Sequence, residues 1–321
     1  MPLLRILILL CALFMARVAA SAEAPGVLPR EVTLNGVELV LIPEGWFWYT
    51  VVVDTTHLPV GSLSYRDVRI WLDSFYLAKF EARASDLLRF MNSGAASAQT
   101  LSKQADVVKK WEEGMQRKLP ECTLRHQPDG NWALADPSRD LPATNLTWAL
   151  ASEFAAWMGL RLPTEAQWEK GARGTDKRGW PWGDNYPDDT YGRFGWAGVD
   201  CDPASVDAYP RGRSPYGLYN MAGNVGEYVA DWSNQGFDDA LKDGVRNPPL
   251  APNGSQASDA VVEKISKGGV WTNDSVSIRI DRRRLNALYW AQTRDGVRFA
   301  ADVATVRAYL ASQAAKPEEK R

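Results

Sequence analysis

Residues 217–232 read GLYNMAGNVGEYVADW. On spacing alone the stretch is a Gly–Asn turn leading to a surface glutamate, Glu227. Gly223 permits a tight backbone path there, because it carries no Cβ. Working outward, residues 175–300 are dense in Gly, Pro, Asn, Asp and Trp and hold few long periodic runs. Such a region is expected to be irregular and pinned by aromatic side chains rather than built from long helices.

The chain before it is more regular. VELVLIPEGWFWYTVVV (37–53) alternates and is rich in β-branched and aromatic residues, which predicts strands; IWLDSFYLAKFEA (70–82) reads as another strand region. Ser85 is expected to cap a helix carrying Leu87, Leu88 and Met91 that stops near Gly94. Residues 95–120 read as a charged insertion with a helix around 105–119. Leu150, Phe154, Trp157 and Met158 fall on one helical face, with Gly159 at its stop. Thr164 and Gln167 form a capping box for a second short helix bearing Trp168. Val303, Val306 and Leu310 mark a C-terminal helix and tail over 303–321.

Composition narrows the classes. The 321 residues are 24% charged and 45% hydrophobic, as in a globular chain of one large or two smaller domains. A net charge of -2 gives no footprint for nucleic acid. Arg282–Arg284 is the one dense basic spot and reads as a solvated strand edge. Residues 1–22 carry Arg5, an apolar run over 6–16 and a small-x-small site at Ala20–Ala22, the pattern of a secretory signal peptide. A periplasmic location with no membrane span is therefore expected, with 23–37 as a linker. Cleavage would leave Cys122 and Cys201. In an oxidising compartment two cysteines either pair or remain as separate buried thiols; pairing over about 80 residues would stabilise by about 4 kcal/mol on the chain-entropy model. His57 and His126 are the only histidines, too few for a His-rich zinc centre.

Seven stretches in order resemble the formylglycine-generating-enzyme (sulfatase-modifying factor) family. They are LIPEGWF, FEARASDLLRFMNS, LPATNLTWALASEFAAWMGLRLPTEAQWEKGARG, WPWGD, VDAYPRGRSPYGLYNMAGNVGEYVADW, KGGVW and GVRFA, spread over 38–302. The resemblance implies an α+β, C-type-lectin-like fold with little regular secondary structure. It also implies a structural calcium on the side chains of Asn220 and Glu227 and the carbonyls of Gly223 and Val225, a set of hard oxygens that suits the ion. A second calcium region falls at YGRFGWAGVDCDP (191–203), where Arg193 stands near an expected asparagine and Asp200 or Asp202 could compensate. Glu81 matches a carboxylate of the family pattern.

Family enzymes carry a serine and two copper-binding cysteines after the Gly-Gly of the KGGVW region. Here those positions fall on Val270 and on or near Asn273 and Ile278. An amide or a butyl group cannot replace a thiolate as soft-metal ligand and nucleophile. Formylglycine synthesis and copper binding are therefore expected to be absent.

The resemblance leaves two classes of function. Relatives without the cysteines include a periplasmic regulator of type VI secretion that promotes activation of a transmembrane Ser/Thr kinase. On that reading this chain is a non-catalytic interaction protein whose partner is the kinase's periplasmic domain, with Arg279, Arg282, Arg283 and Arg284 as the contact surface. The alternative is an oxidative tailoring enzyme of siderophore (pyoverdine) maturation, which needs a base such as Asp274 or Asp281. A glycan-binding module is a third option.

Overall fold

The computed structural model describes residues 27–53, 64–115, 122–197, 201–252, 263–287 and 294–315. The expected signal peptide, His57 and Asp200 lie outside them. From Glu31 onward the chain forms one unit.

Two four-stranded sheets frame it. The first has the order β1 (Glu31–Leu34), β2 (Val37–Ile42), β5 (Phe75–Ala78), β12 (Ala300–Asp302), antiparallel throughout. The second has the order β10 (Arg284–Ala287), β9 (Glu263–Lys267), β8 (Gly226–Trp232), β11 (Asp295–Val297). Its β11 runs parallel to β8, setting Gly296 beside Glu227 and Val297 beside Tyr228. A long hairpin, β3 (Gly45–Val53) with β4 (Ser64–Leu72), and a short one, β6 (Leu124–His126) with β7 (Trp132–Leu134), complete the strands.

All four residues of β5 are buried because the strand has a core on each face. Tyr76 and Ala78 pack with α1 (Ala84–Asn92) and α3 (Trp148–Trp157), whereas Phe75 and Leu77 face the β3–β4 hairpin and α4 (Glu165–Arg173). A strand covered on both sides reads as an unbroken apolar run, and FYLA is one. The strong fixed point of α4 is local. Thr164 Oγ1 accepts from Gln167 N while the Gln167 side chain accepts from Thr164 N, the reciprocal capping box.

Several expectations shift. Ser85 does not cap α1; Arg83 is its N-cap, with no side-chain cap bond, and the Arg83 side chain pairs with Asp140. The insertion helix α2 runs from Ala98 to Met115 and so begins about two turns before the expected helix start at 105. Leu150, Phe154 and Met158 are buried, but Trp157 stays 37% exposed under Arg89. The short α5 (Gln235–Ala240) and the strands β8 to β11 give 175–300 more regular structure than its composition suggested. The last helix, α6 (Val303–Ala314), buries Val306 and leaves Leu310 half-exposed. Among the described residues no helix is long and apolar enough to cross a membrane.

Candidate functional site

The 217–232 stretch enters β8 through left-handed backbone at Asn220 (φ 53°), Gly223 (φ 79°) and Asn224 (φ 58°). Asparagine tolerates that region. At Gly223 a Cβ would stand 2.5 Å from the Arg193 carbonyl oxygen, so glycine is needed for space as well as for φ.

The turn delivers side chains inward, not to the surface. Glu227 is fully buried. Its Oε2 accepts from Trp168 Nε1 at 2.6 Å and Arg298 Nε at 2.9 Å, and its Oε1 accepts from Arg298 Nη2 at 2.6 Å. Asn220 Nδ2 donates to Glu81 Oε2 and to the Val206 carbonyl, and Asn224 Nδ2 donates to both oxygens of Glu81. Burial, then the neighbouring Glu227 charge, pushes Glu81 up to about 8.

This geometry revises the calcium expectation. Asn220 Oδ1 is buried without a hydrogen bond among the described residues, the one feature here that suits a cation. Glu227, however, is already neutralised by a guanidinium 2.6 Å away. A divalent ion on the same carboxylate would meet that fixed positive charge in a medium of low dielectric. The set Asn220, Gly223, Val225 and Glu227 does not fit calcium as placed. At the second region Arg193 pairs with Asp202, so that carboxylate is spent as well. No cluster of three or more His, Cys, Asp or Glu able to hold a metal occurs among the described residues.

A second buried charge network lies beneath α4. Lys267 Nζ stands 3.2 Å from Glu165 Oε1 and 3.2 Å from Glu169 Oε2. Arg173 pairs with Glu169 and donates to Thr50 Oγ1. Burial opposes the charge on Glu165, but Arg283 and Lys267 hold its carboxyl below the ordinary range. Asp231 caps the start of α4 by accepting from Glu165 N at 2.7 Å. Burial first, and the Glu165 charge second, lift it to about 6. An acid raised in the folded state contributes stability that is full below its unfolded pKa, near 3.8, and lost as pH rises through about 6. Replacing Asp231 by Asn should therefore cost most at pH 4 and least at pH 7. The gap to wild type should narrow by up to roughly 1.4 kcal/mol per pH unit between those values. Thermal melts of both proteins across that range check this; a gap independent of pH would contradict it.

The same network corrects the partner surface. Arg283 is bound to Glu165 at 2.6 Å, to Asp238 and to Tyr49 Oη. Arg284 pairs with the buried Asp295 at 2.5 Å, and Arg279 with Asp281 at 2.8 Å. Arg282 packs over the Tyr65 ring and bonds its hydroxyl. Only Arg284 of the four lies in a strand. Each guanidinium is engaged by a group of its own fold, with Arg283 buried and the side chains of Arg279, Arg282 and Arg284 a quarter to a third exposed.

At the positions matched to the enzymes' catalytic residues, Val270 and Ile278 are buried. Asn273 Oδ1 accepts from Val270 N at 2.9 Å, which closes the loop on itself. Asp274 accepts from the Ser277 hydroxyl and backbone, contacts that hold its carboxyl below the usual range. Asp281 lies between Arg279 and Arg282. Trp180, Ala222 and Ile278 pack together beneath Trp182 and Phe194. Cys122 and Cys201 are joined in a disulfide, with Cα atoms 5.3 Å apart. His126 packs edge-on against Trp132.

A model of the sulfatase-modifying factor enzyme 1-like domain matches residues 24–303. The chain belongs to that family. Formylglycine-generating enzyme of Bos taurus is 29% identical over 258 residues, 67% of this chain and 63% of the bovine enzyme. Hercynine oxygenase of Mycobacterium tuberculosis is 33% identical over 177 residues, 52% of this chain and 38% of its own length. The Ser/Thr-protein kinase pkn1 of Chlamydia pneumoniae is 34% identical over 146 residues, 45% of this chain and 21% of the kinase. The match thus spans less than two thirds of these relatives' lengths. The solved structure of PvdO from Pseudomonas aeruginosa has the same fold, with a TM-score of 0.54 at 19% identity, covering 88% of this chain and all of that one. Within the sulfatase-modifying factor domain, the sequence left Arg298 and Lys267 without a role. Their signal was a charged residue inside a family-like stretch, GVRFA and KGGVW.

Proposed function

We propose that this sulfatase-modifying factor domain works as a non-catalytic interaction protein of the periplasm and promotes activation of a transmembrane Ser/Thr kinase that controls type VI secretion. One observation carries the non-catalytic half. Where the family pattern has a serine this chain has a buried Val270, and on or near its two thiol positions it has an Asn273 closed onto the backbone and a buried Ile278. Its two remaining cysteines after residue 22 are bonded to each other. No thiolate is left to bind copper or attack a substrate.

The kinase half is supported by the chlamydial Ser/Thr kinases, in which a region similar to this chain is part of the same polypeptide as the kinase. The oxidative alternative has less support. Its two candidate bases are Asp274, held in a turn with Ser277, and Asp281, flanked by two guanidinium groups.

The test is direct. The purified mature protein is titrated onto the kinase's periplasmic domain, and kinase autophosphorylation is followed in reconstituted membranes. Saturable binding with increased autophosphorylation is expected. A folded protein that neither binds nor changes phosphorylation would overturn the proposal.

A further inference from the structure

Around Arg298 the fold gathers a set of oxygens that resembles the ligand shell of a hard cation. Two carboxylate oxygens of Glu227 and the carbonyl oxygens of Ala78 and Tyr219 all accept from one guanidinium, at 2.6 to 2.9 Å. Arg298 and Glu227 are both fully buried. These acceptors come from three places: the end of β5, the loop at 219 and strand β8. The parallel pairing of β11 with β8 fixes their meeting, because it brings Gly296 and Val297 alongside Glu227 and Tyr228 just before Arg298. A planar guanidinium suits such a shell, since its donors diverge in fixed directions.

The device recurs. Lys170 Nζ donates to the carbonyls of Pro43, Gly45 and Leu72, at 2.7, 3.1 and 3.4 Å. Lys264 Nζ donates to the Ala230 carbonyl at 2.8 Å while lying 3.7 and 3.6 Å from the ring centroids of Trp148 and Trp232. Lys170 satisfies carbonyl oxygens at the open end of the β3–β4 hairpin and in the loop before it, and Lys264 one within the register shift of β8.

We propose that Arg298 is the resident cation of this core and fixes the 217–232 segment without a metal ion. Of the four expected calcium ligands this guanidinium engages one, Glu227, and its other acceptors are the Ala78 and Tyr219 carbonyls. This inference concerns the scaffold and does not depend on the kinase reading.

Melting temperatures of the full mature chain test it in a calcium chelator and in millimolar calcium, for wild type, Arg298→Met, Arg298→Lys and the double variant Glu227→Gln/Arg298→Met. Wild type should melt at the same temperature in both media. Arg298→Met should melt about 10 °C lower, because a buried carboxylate is left unpaired. Adding Glu227→Gln should restore part of that loss, and Arg298→Lys should fall between wild type and Arg298→Met. If Arg298→Met fails to fold, wild type and Arg298→Lys still decide. A fall in the wild-type melting temperature on chelation would overturn the proposal, and would point instead to calcium at Asn220 Oδ1. Wild-type stability in Arg298→Lys would also overturn it, since three ammonium donors cannot reproduce the fork.

Discussion

Lys267→Met should destabilise the protein by about 3–5 kcal/mol, the range for removing one partner of a buried ion pair. Methionine keeps the length and apolar stem of lysine but removes the charge. Lys267 is 1% exposed and bridges Glu165 and Glu169, which are themselves 2% and 0% exposed. Arg283 and Arg173 would remain, but they also serve Asp238 and Thr50. One negative charge in the interior would then be uncompensated. Glu169→Gln in the Lys267→Met background should recover part of the loss, because the excess charge is removed with it. Urea unfolding of the two variants measures both effects. A Lys267→Met protein within about 1 kcal/mol of wild type would show that the network has spare positive charge.

The second large effect concerns the bond between Cys122 and Cys201. It closes a loop across 79 positions and ties the end of the insertion to the segment before Ala204, whose N–H donates to Asn224 Oδ1. Removing it by Cys122→Ser/Cys201→Ser should cost about 4 kcal/mol on the chain-entropy model. Reductant should lower the melting temperature of wild type and leave that of the double variant unchanged. Equal responses would mean that the two sulfurs are not joined in the folded protein.

What the sequence disclosed and what it hid divide by distance along the chain. The capping box at Thr164 and Gln167 was legible because both partners lie within four residues and the pattern is itself the structure. Strands β2 and β3 were legible from alternation, and Gly159 from the left-handed residue that a helix end requires, φ 70° here. Ser85 misled because Arg83 begins the helix, its backbone held in a bridge to Pro142. The arginine run misled for a deeper reason. A block of like charges normally faces water, but these residues meet Glu165, Asp238 and Asp295, which lie 118, 45 and 11 positions away. Glu227 looked like a surface group or a metal ligand for the same reason: its true partner, Arg298, is 71 positions distant. Spacing rules see neighbours on one helix or turn; only the folded sheet brings β8 and β11 together.

This chain keeps the family scaffold, and its proposed action by binding rests on the expectation that the family's cysteine chemistry is absent. The protein, supplied with copper and oxygen, can be incubated with a peptide carrying a sulfatase-motif cysteine and the peptide analysed by mass spectrometry. With Val270, Asn273 and Ile278 on or near the positions that the family resemblance assigns to the catalytic residues, the cysteine should be recovered intact. Time-dependent conversion of that cysteine to formylglycine would show instead that the chain is an active enzyme.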